Sequence, residues 1–387
     1  MRAFATDSEV MQHAISLARK GFGFVAPNPM VGAVILSHTG EWIAEGFHQE
    51  FGKAHAEINA ISAAGERTHG AQLFVTLEPC SHFGKTPPCA DAVIAAGFRR
   101  VVIGCQDSAP HVAGRGIQRL RDAGIEVTVG VCEAEAKRLV APFEMLIHER
   151  RPWVHAKWAM TLDGRVATYT GHSQWISCDQ SRAWVHELRG RVDAIITGAG
   201  TVRSDDCLLT ARPQGPRTAL RVVMDSTGES LTADCQLVKT LDQAPVLVCV
   251  SRGCSGIALQ RLQQWGVQVF QTTAPDHVDV SEVLQELGRR QCTHALLEAG
   301  PRLLGAFFDA GKVDEVHVFV APKLIGGVRA LSPVGGEGLA RIPDNANLTH
   351  VQTVTIGEDL LIEADVSRKP PVGDLQRESV SSTIHGS

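Results

Sequence analysis

Short apolar runs alternate with amphipathic stretches along nearly the whole chain. That alternation restricts the fold more than any other feature of the 387-residue sequence. Asp7 or Ser8 is placed to cap a helix in which Val10, Met11, Ala14, Ile15 and Ala18 recur at helical spacing. "MVGAVIL" and "EWIAEGF" flank a His-Thr-Gly turn and predict a hairpin. "HAEINAISAAG" predicts a helix stopped by Gly65, and "AQLFVTL" a buried strand. "CADAVIAAG" is a second glycine-stopped helix, and "RRVVIG" and "IEVTVG" are strands on either side of the helical "RGIQRLRDAG". An αββαβαβ succession of this kind makes a layered α/β sheet.

The helical "EAEAKRLVAPFEMLIHE" closes this series, and "RRPWVHAKWAM" opens a second one as a strand after Pro152. The break near Glu149 to Pro152 divides the chain into residues 1–149 and 150–366, and the length is comfortable for two domains. The second series places strands at "DAIITGA", "RVVMDS", "PVLVCV", "HALLEAG", "EVHVFVAP" and "DLLIEADV", with helices between. Residues 367–387 are polar and without apolar period, which predicts a disordered tail.

Several classes drop out. A net charge of −5 is not a general nucleic-acid footprint, although a local basic pocket for one phosphate stays open. The N-terminal stretch lacks the apolar core of a signal peptide, and no apolar run approaches the ~20 residues of a membrane helix. Ten cysteines, irregularly spaced, do not form a secreted disulfide framework, which predicts a reducing, cytoplasmic setting.

In that setting Cys80 and Cys89, inside "EPCSHFGKTPPC", are better metal ligands than a disulfide. Two thiolates and the imidazole of His55 suit zinc and leave a fourth position for water. Each candidate follows a strand-like segment and stands at a predicted helix start, where the positive helix end favours a thiolate. Pro79 and Pro88 suit positions just before a helix. Glu57, two residues after His55, is placed to move protons beside a zinc-bound water, whose pKa falls to about 7. On its own Glu57 would be an ordinary first-turn acid; beside His55, Cys80 and Cys89 the proton-shuttle reading prevails.

Zinc deaminases carry H-x-E followed by P-C-x-x-C, whereas eight residues separate the cysteines here. The longer insert, with "HAE", "TLEPCSHFGKTPPC" and "VAGRG", resembles the bifunctional riboflavin-biosynthesis deaminase/reductase family, and the resemblance runs to about Val366. It implies a cytidine-deaminase-like α/β/α sandwich followed by a dihydrofolate-reductase-like α/β domain. It implies one zinc on His55, Cys80 and Cys89, with Glu57 as proton shuttle. It further implies that Asn28, His48, His82 and Lys85 contact the deaminase substrate. An amide such as Asn28 can read a pyrimidine edge, and Lys85, the insert's cation, suits a ribose phosphate. His48 by itself reads as a surface histidine.

"GAGTVR" from Gly198 has Arg203 where a dinucleotide fingerprint has its third glycine, so the motif alone identifies nothing. The stretches "HAKWAMTLDGRVAT", "HSQWIS", "GAGTVRSDDCLLTAR", "LLEAGPRLLGAF" and "APKLIGG" resemble the reductase half of the same family. The resemblance implies NADPH contacts at Ala159, Trp175, Thr201, Asp205, Ser226 and the helix-opening Gly300, Pro301, Arg302, Leu303, Leu304, Gly305 and Ala306. It implies substrate contacts at Ser173, Arg189, Leu209, Arg212 and Glu298. Arg189 and Arg212 can clamp a phosphate, but Arg189 reads equally well as a helix C-terminal cation, and Trp175 as a core aromatic. Asp205 is the nearest acid–base candidate, and none stands out. A homo-oligomer acting on a small phosphorylated pyrimidine is the family expectation. Two rivals remain: a nucleoside or tRNA deaminase, which calls for a basic groove, and a structural zinc module, which calls for a fourth protein ligand and leaves Glu57 without a role.

Overall fold

The computed structural model describes residues 4–81, 87–108, 113–343 and 347–367. The elements of the first series are α1 (Asp7–Ala18), β1 (Gly32–Leu36), β2 (Trp42–Phe47), α2 (Ala56–Ala64), β3 (Gln72–Leu77), α3 (Cys89–Ala95), β4 (Arg100–Cys105), α4 (Arg115–Asp122), β5 (Glu126–Val129) and α5 (Glu133–Glu149). The five strands lie in the order β2-β1-β3-β4-β5. β1 runs antiparallel to both β2 and β3, and β3, β4 and β5 run parallel. Successive strand residues supply opposite faces. Ile35, Val75 and Ile103 pack on α2, α3 and α4, while Val34, Phe74 and Val102 pack on α1 and α5. The result is a three-layer α/β/α sandwich. Glycine permits close helix–strand approach: a Cβ on Gly32 would stand 2.0 Å from the Ala14 carbonyl oxygen of α1, and one on Gly46 2.5 Å from the Ala60 nitrogen of α2.

The cap of α1 differs from expectation. Thr6, not Asp7 or Ser8, is the N-cap; its hydroxyl accepts from the Glu9 N–H, and the Glu9 carboxylate accepts from the Ala5 N–H. The pair resembles a capping box, with the carboxylate reaching one residue past the N-cap. Asp7 sits in the first helical turn instead and pairs with Arg100 at 2.7 Å.

The second series contains β6 (Trp153–Thr161), α6 (Asp179–Arg189), β7 (Ala194–Gly198), α7 (Ala199–Asp205), β8 (Leu220–Met224), α8 (Gln236–Lys239), β9 (Val246–Val250), α9 (Gly256–Gln264), β10 (Gln268–Gln271), α10 (Val280–Arg289), β11 (His294–Leu297), α11 (Pro301–Asp309), β12 (Glu315–Ala321), β13 (Leu348–Ile356) and β14 (Asp359–Val366). Its nine-stranded sheet has the order β10-β9-β8-β7-β11-β6-β12-β14-β13. Strands β10 to β12 pair in parallel, and β14 and β13 add an antiparallel edge. One face packs on α10 and α11 and the other on α6 to α9.

The two sheets are tied together. Arg138 of α5 donates to Asp365 and to Glu315, at 2.8 and 3.3 Å. Buried Arg151, between α5 and β6, forms a fork with Asp314 at 2.7 and 3.0 Å. Among the described residues no helix is long and apolar enough to cross a membrane.

Candidate active sites

His55 is the N-cap of α2, Glu57 lies in its first turn, Cys80 follows β3, and Cys89 opens α3. These four positions converge. His55 Nδ1 lies 3.3 Å from Cys89 Sγ and 3.8 Å from Cys80 Sγ, and the Cys89 N–H donates to Cys80 Sγ at 3.3 Å. All ten cysteines are free thiols, so Cys80 and Cys89 form no disulfide. The Cys80 thiol is lowered by its hydrogen bond from the Cys89 thiol, against burial and with help from His55. Cys89 is raised by the same bond, and His55 is raised chiefly by its bond to Cys80. A divalent cation replaces such shared protons, because thiolate and neutral imidazole are the ligating forms.

Glu57 is 3 % exposed, and its Oε2 has no hydrogen-bond partner among the described residues. Burial pushes its carboxyl up to about 7, with a backbone hydrogen bond and His55 opposing. A buried orphan carboxylate oxygen beside three convergent donors fits a zinc site with a reactive water.

The set opens into a cavity of about 320 Å³, lined by Asn28, His48, Phe51, Lys53, His55, Glu57 and Cys80 among others. His48 is not a surface residue: it is 2 % exposed, with Nδ1 bonded to the Ala54 carbonyl at 3.0 Å and Nε2 to Asn28 Nδ2 at 3.2 Å. Burial lowers its pKa. The ring thus donates to Ala54 and accepts from Asn28, which fixes the amide's orientation. His82 and Lys85 lie outside the described residues.

Two contributors escape the sequence reading. Lys53, in a Gly-Lys turn, lines the same cavity. Glu78, just before the Pro-Cys of the motif, is buried and binds four backbone amides. Its oxygens accept from Gly116, Ile117, Gly114 and Asp107 at 2.8–3.2 Å. Gly116 admits this, since a Cβ there would stand 2.1 Å from the Pro79 carbonyl. Gly114 and Gly116 therefore serve to seat the Pro79–Cys80 segment against α4.

In the second unit a cavity of about 300 Å³ brings together Ala159, Ser173, Trp175, Arg189, Asp205, Arg212 and Glu298. Arg189, the last residue of α6, faces Glu298 as a fork, Nε to Oε1 at 2.6 Å and Nη2 to Oε2 at 2.9 Å. That edge is therefore occupied rather than open to a phosphate. Burial would raise the Glu298 carboxyl, but Arg189 and Lys157 outweigh it and hold it below its ordinary value. Arg212 bonds His186 Nε2 and the Thr210 hydroxyl, both at 3.3 Å. Trp175 is not a core aromatic: it is 63 % exposed, with the Arg182 guanidinium 4.7 Å from its ring. Leu209 packs into the core with φ +52°, so the backbone is what it can offer a ligand.

Lys157 also lines this cavity and was not singled out by the sequence. Burial lowers its ammonium, with Glu298 opposing. The available signal was polar residues at every second position of a central strand, in "HAK".

The neighbouring parallel strands β8, β7 and β11 are followed within three residues by Ser226, by Thr201 in the first turn of α7, and by Gly300, the N-cap of α11. No side chain caps α11, and a Cβ on Gly300 would lie 3.8 Å from the Thr201 hydroxyl. An uncapped helix start at the carboxyl ends of parallel strands fits a dinucleotide phosphate. The start of the "GPRLLGA" stretch faces that edge, and a Cβ on Gly198 there would lie 3.3 Å from Leu303 Cδ2. The Leu303 and Leu304 amides both bond the Gly300 carbonyl, and Leu304 is in the core. A Cβ on Gly305 would meet the Gly335 backbone at 2.3 Å, and Ala306 packs against the core.

Comparison with known proteins follows this division. The family described as "Cytidine and deoxycytidylate deaminase zinc-binding region" matches residues 5–105, and "RibD C-terminal domain" matches residues 152–362. The riboflavin biosynthesis protein RibD of Actinobacillus pleuropneumoniae is 41% identical, over 92% of this chain and 95% of its own. The structure of Acinetobacter baumannii RibD is similar with a TM-score of 0.78 at 33% identity, covering 94% of this chain and 99% of that one. A diaminohydroxyphosphoribosylaminopyrimidine deaminase/5-amino-6-(5-phosphoribosylamino)uracil reductase from Thermotoga maritima also gives 0.78, at 36% identity over 93% and 98% of the two chains.

Proposed function

Because the chain belongs to the RibD family of riboflavin biosynthesis proteins, we propose a division of labour among the residues of its two sites. The protein is a bifunctional enzyme, a zinc-dependent deaminase joined to an NADPH-dependent reductase. The deaminase removes an amino group from a diaminopyrimidinone bearing a phosphoribosylamino group, and the reductase converts the ribosyl chain to ribityl.

His55 and the two thiolates hold zinc, which supplies a Lewis acid and an ionised water at neutral pH. Glu57 Oε2 takes a proton on the water side and returns it to the departing amino nitrogen. A carboxyl near pH 7 is matched to both directions of that transfer. Asn28, oriented by His48, keeps its amide oxygen for the pyrimidine edge. The observation that carries this reading is the orphaned Glu57 oxygen beside three convergent ligands at a cavity mouth.

In the second site, Thr201, Ser226 and the start of α11 hold NADPH, which supplies the reducing electrons. Lys157 donates its proton to the ribosyl ring oxygen as the sugar opens. Glu298 keeps Arg189 and Lys157 in place, and Arg212 offers the more exposed cation for phosphate. We also place the chain in the cytoplasm, a reading supported by its ten free thiols, and read it as a homo-oligomer, as the resemblance implies. Its partners on this reading are small phosphorylated pyrimidines, and neither nucleic acid nor membrane.

The phosphate assignment in the deaminase half separates Lys85 from Lys53. Lys85→Ala should weaken a phosphorylated substrate far more than its dephosphorylated analogue, read as the KM of ammonia release. Equal losses for both compounds would remove Lys85 from the phosphate, and the same selective loss in Lys53→Ala alone would transfer the role to Lys53.

A further inference from the structure

A second group of metal-ligating side chains stands on the nine-stranded sheet, outside both sites described above. The β6–β12 ladder sets Glu315 opposite His155 and His317 two positions on. Residues two apart share a face. All three therefore point away from Val154 and Ala156, which pack beneath α10 and α11. β14 places Glu363 opposite His317, and β11 brings His294 beside His155.

The distances have the dimensions of a coordination sphere. His155 Nδ1 lies 3.2 Å from His317 Nε2 and 3.2 Å from Glu315 Oε2, and His317 Nε2 lies 3.8 Å from Glu315 Oε1. With metal–nitrogen bonds of about 2.0–2.1 Å, tetrahedral ligand atoms stand about 3.3 Å apart. A self-satisfied histidine stack would use His155 Nδ1 once. Here that nitrogen faces both an imidazole lone pair and a carboxylate oxygen.

The outer ring nitrogens are already held. His317 Nδ1 bonds Glu363 Oε1 at 2.9 Å, and His155 Nε2 bonds His294 Nδ1 at 3.0 Å. An outer carboxylate such as Glu363 fixes the tautomer of a ligating histidine. With Nδ1–H donated to Glu363, Nε2 of His317 turns a bare lone pair inward. In the tautomer that donates Nε2–H to His294, Nδ1 of His155 does the same. The group is buried, with His155 and His317 at 5% and 4% exposure. It adjoins a cavity of about 310 Å³ at the junction of the two units, where Phe22, Leu139 and Pro142 line the other side. Water can therefore reach a remaining coordination position. Arg138 offsets part of the charge of Glu315 and Asp365, leaving Glu363 to favour a cation.

We propose that His155 Nδ1, His317 Nε2 and the Glu315 carboxylate form a second metal site for a borderline divalent ion of the zinc, cobalt or nickel class, completed by water. Lacking thiolate, it binds more weakly than the Cys80–Cys89 site and fills only when metal is added.

Cobalt(II) tests this on the full chain, because its spectrum distinguishes sulfur from nitrogen and oxygen ligands. Metal-stripped protein should take up two equivalents, the first with a sulfur-to-metal charge-transfer band and the second with ligand-field bands only. Cys89→Ser should keep the second and lose the sulfur band. His155→Gln and His317→Gln should each weaken the second equivalent at least about tenfold while keeping the first. Glu363→Gln, which leaves every ligand atom in place, should weaken it by about 10–100-fold. Uptake of a single equivalent by the unaltered chain overturns the proposal, as does a second equivalent unchanged in both histidine variants. If those variants fail to fold, the titrations of the unaltered chain and of Cys89→Ser decide alone.

Discussion

Cys89→Ser is expected to leave the protein folded, with nearly all of its tightly held zinc and its deaminase activity gone. A hydroxyl is a far poorer ligand for zinc than a thiolate. The position tolerates the change otherwise. Cys89 opens α3 after Pro88, a place where serine is acceptable, and its backbone N–H still donates to Cys80 Sγ. Zinc retained after exhaustive dialysis should fall from about one per chain to near none. The weaker histidine–carboxylate site exchanges under those conditions and does not mask the loss. Elemental analysis beside an ammonia-release assay reads both quantities, and full zinc retention would remove Cys89 from the site.

The parts of this molecule that the sequence announces are those governed by local periodicity or by an unusual spacing. The β1–β2 hairpin, buried β3 and glycine-stopped α2 follow from alternation and from Gly65 at φ +60°. The zinc ligands follow from residue chemistry in a reducing chain. What stayed hidden depends on tertiary pairing. Glu78 looks like a neighbour of the ligands, and only the fold shows it gathering the amides of Gly114, Gly116 and Ile117. Arg189 has both features expected of it in isolation, a helix-terminal cation and a site residue, yet its fork is taken by Glu298, 109 positions away in the chain. β13 escaped because nearly all of its residues are exposed, so its ladder to β14 defines it rather than an apolar pattern. The sequence also carries histidine and lysine at alternate positions of β6, a strand flanked on both sides by parallel partners. Polar side chains there require a purpose, and the structure puts Lys157 in the reductase cavity and His155 in the histidine cluster.

The two chemistries should come apart in opposite variants. Glu57→Gln keeps the size of the side chain and removes its ability to carry a proton. The native carboxyl can take up and release a proton, whereas the amide cannot. Deamination should fall by the ~10²–10⁴-fold typical of a missing general acid–base group. Zinc should remain, because His55, Cys80 and Cys89 are untouched and their mutual contacts do not pass through Glu57. The same variant should oxidise NADPH normally when given the already deaminated ribosyl compound. Lys157→Met removes the ammonium while filling its space, and leaves the Arg189–Glu298 fork intact. It should lose reduction by about 10²-fold or more and release ammonia at the native rate. Each site draws its side chains from its own unit of the chain, which is why a single substitution is expected to silence one reaction alone. Loss of both reactions in a folded Glu57→Gln protein would mean that reduction depends on turnover next door, and independent sites would give way to obligatory coupling across the Arg138 and Arg151 junction.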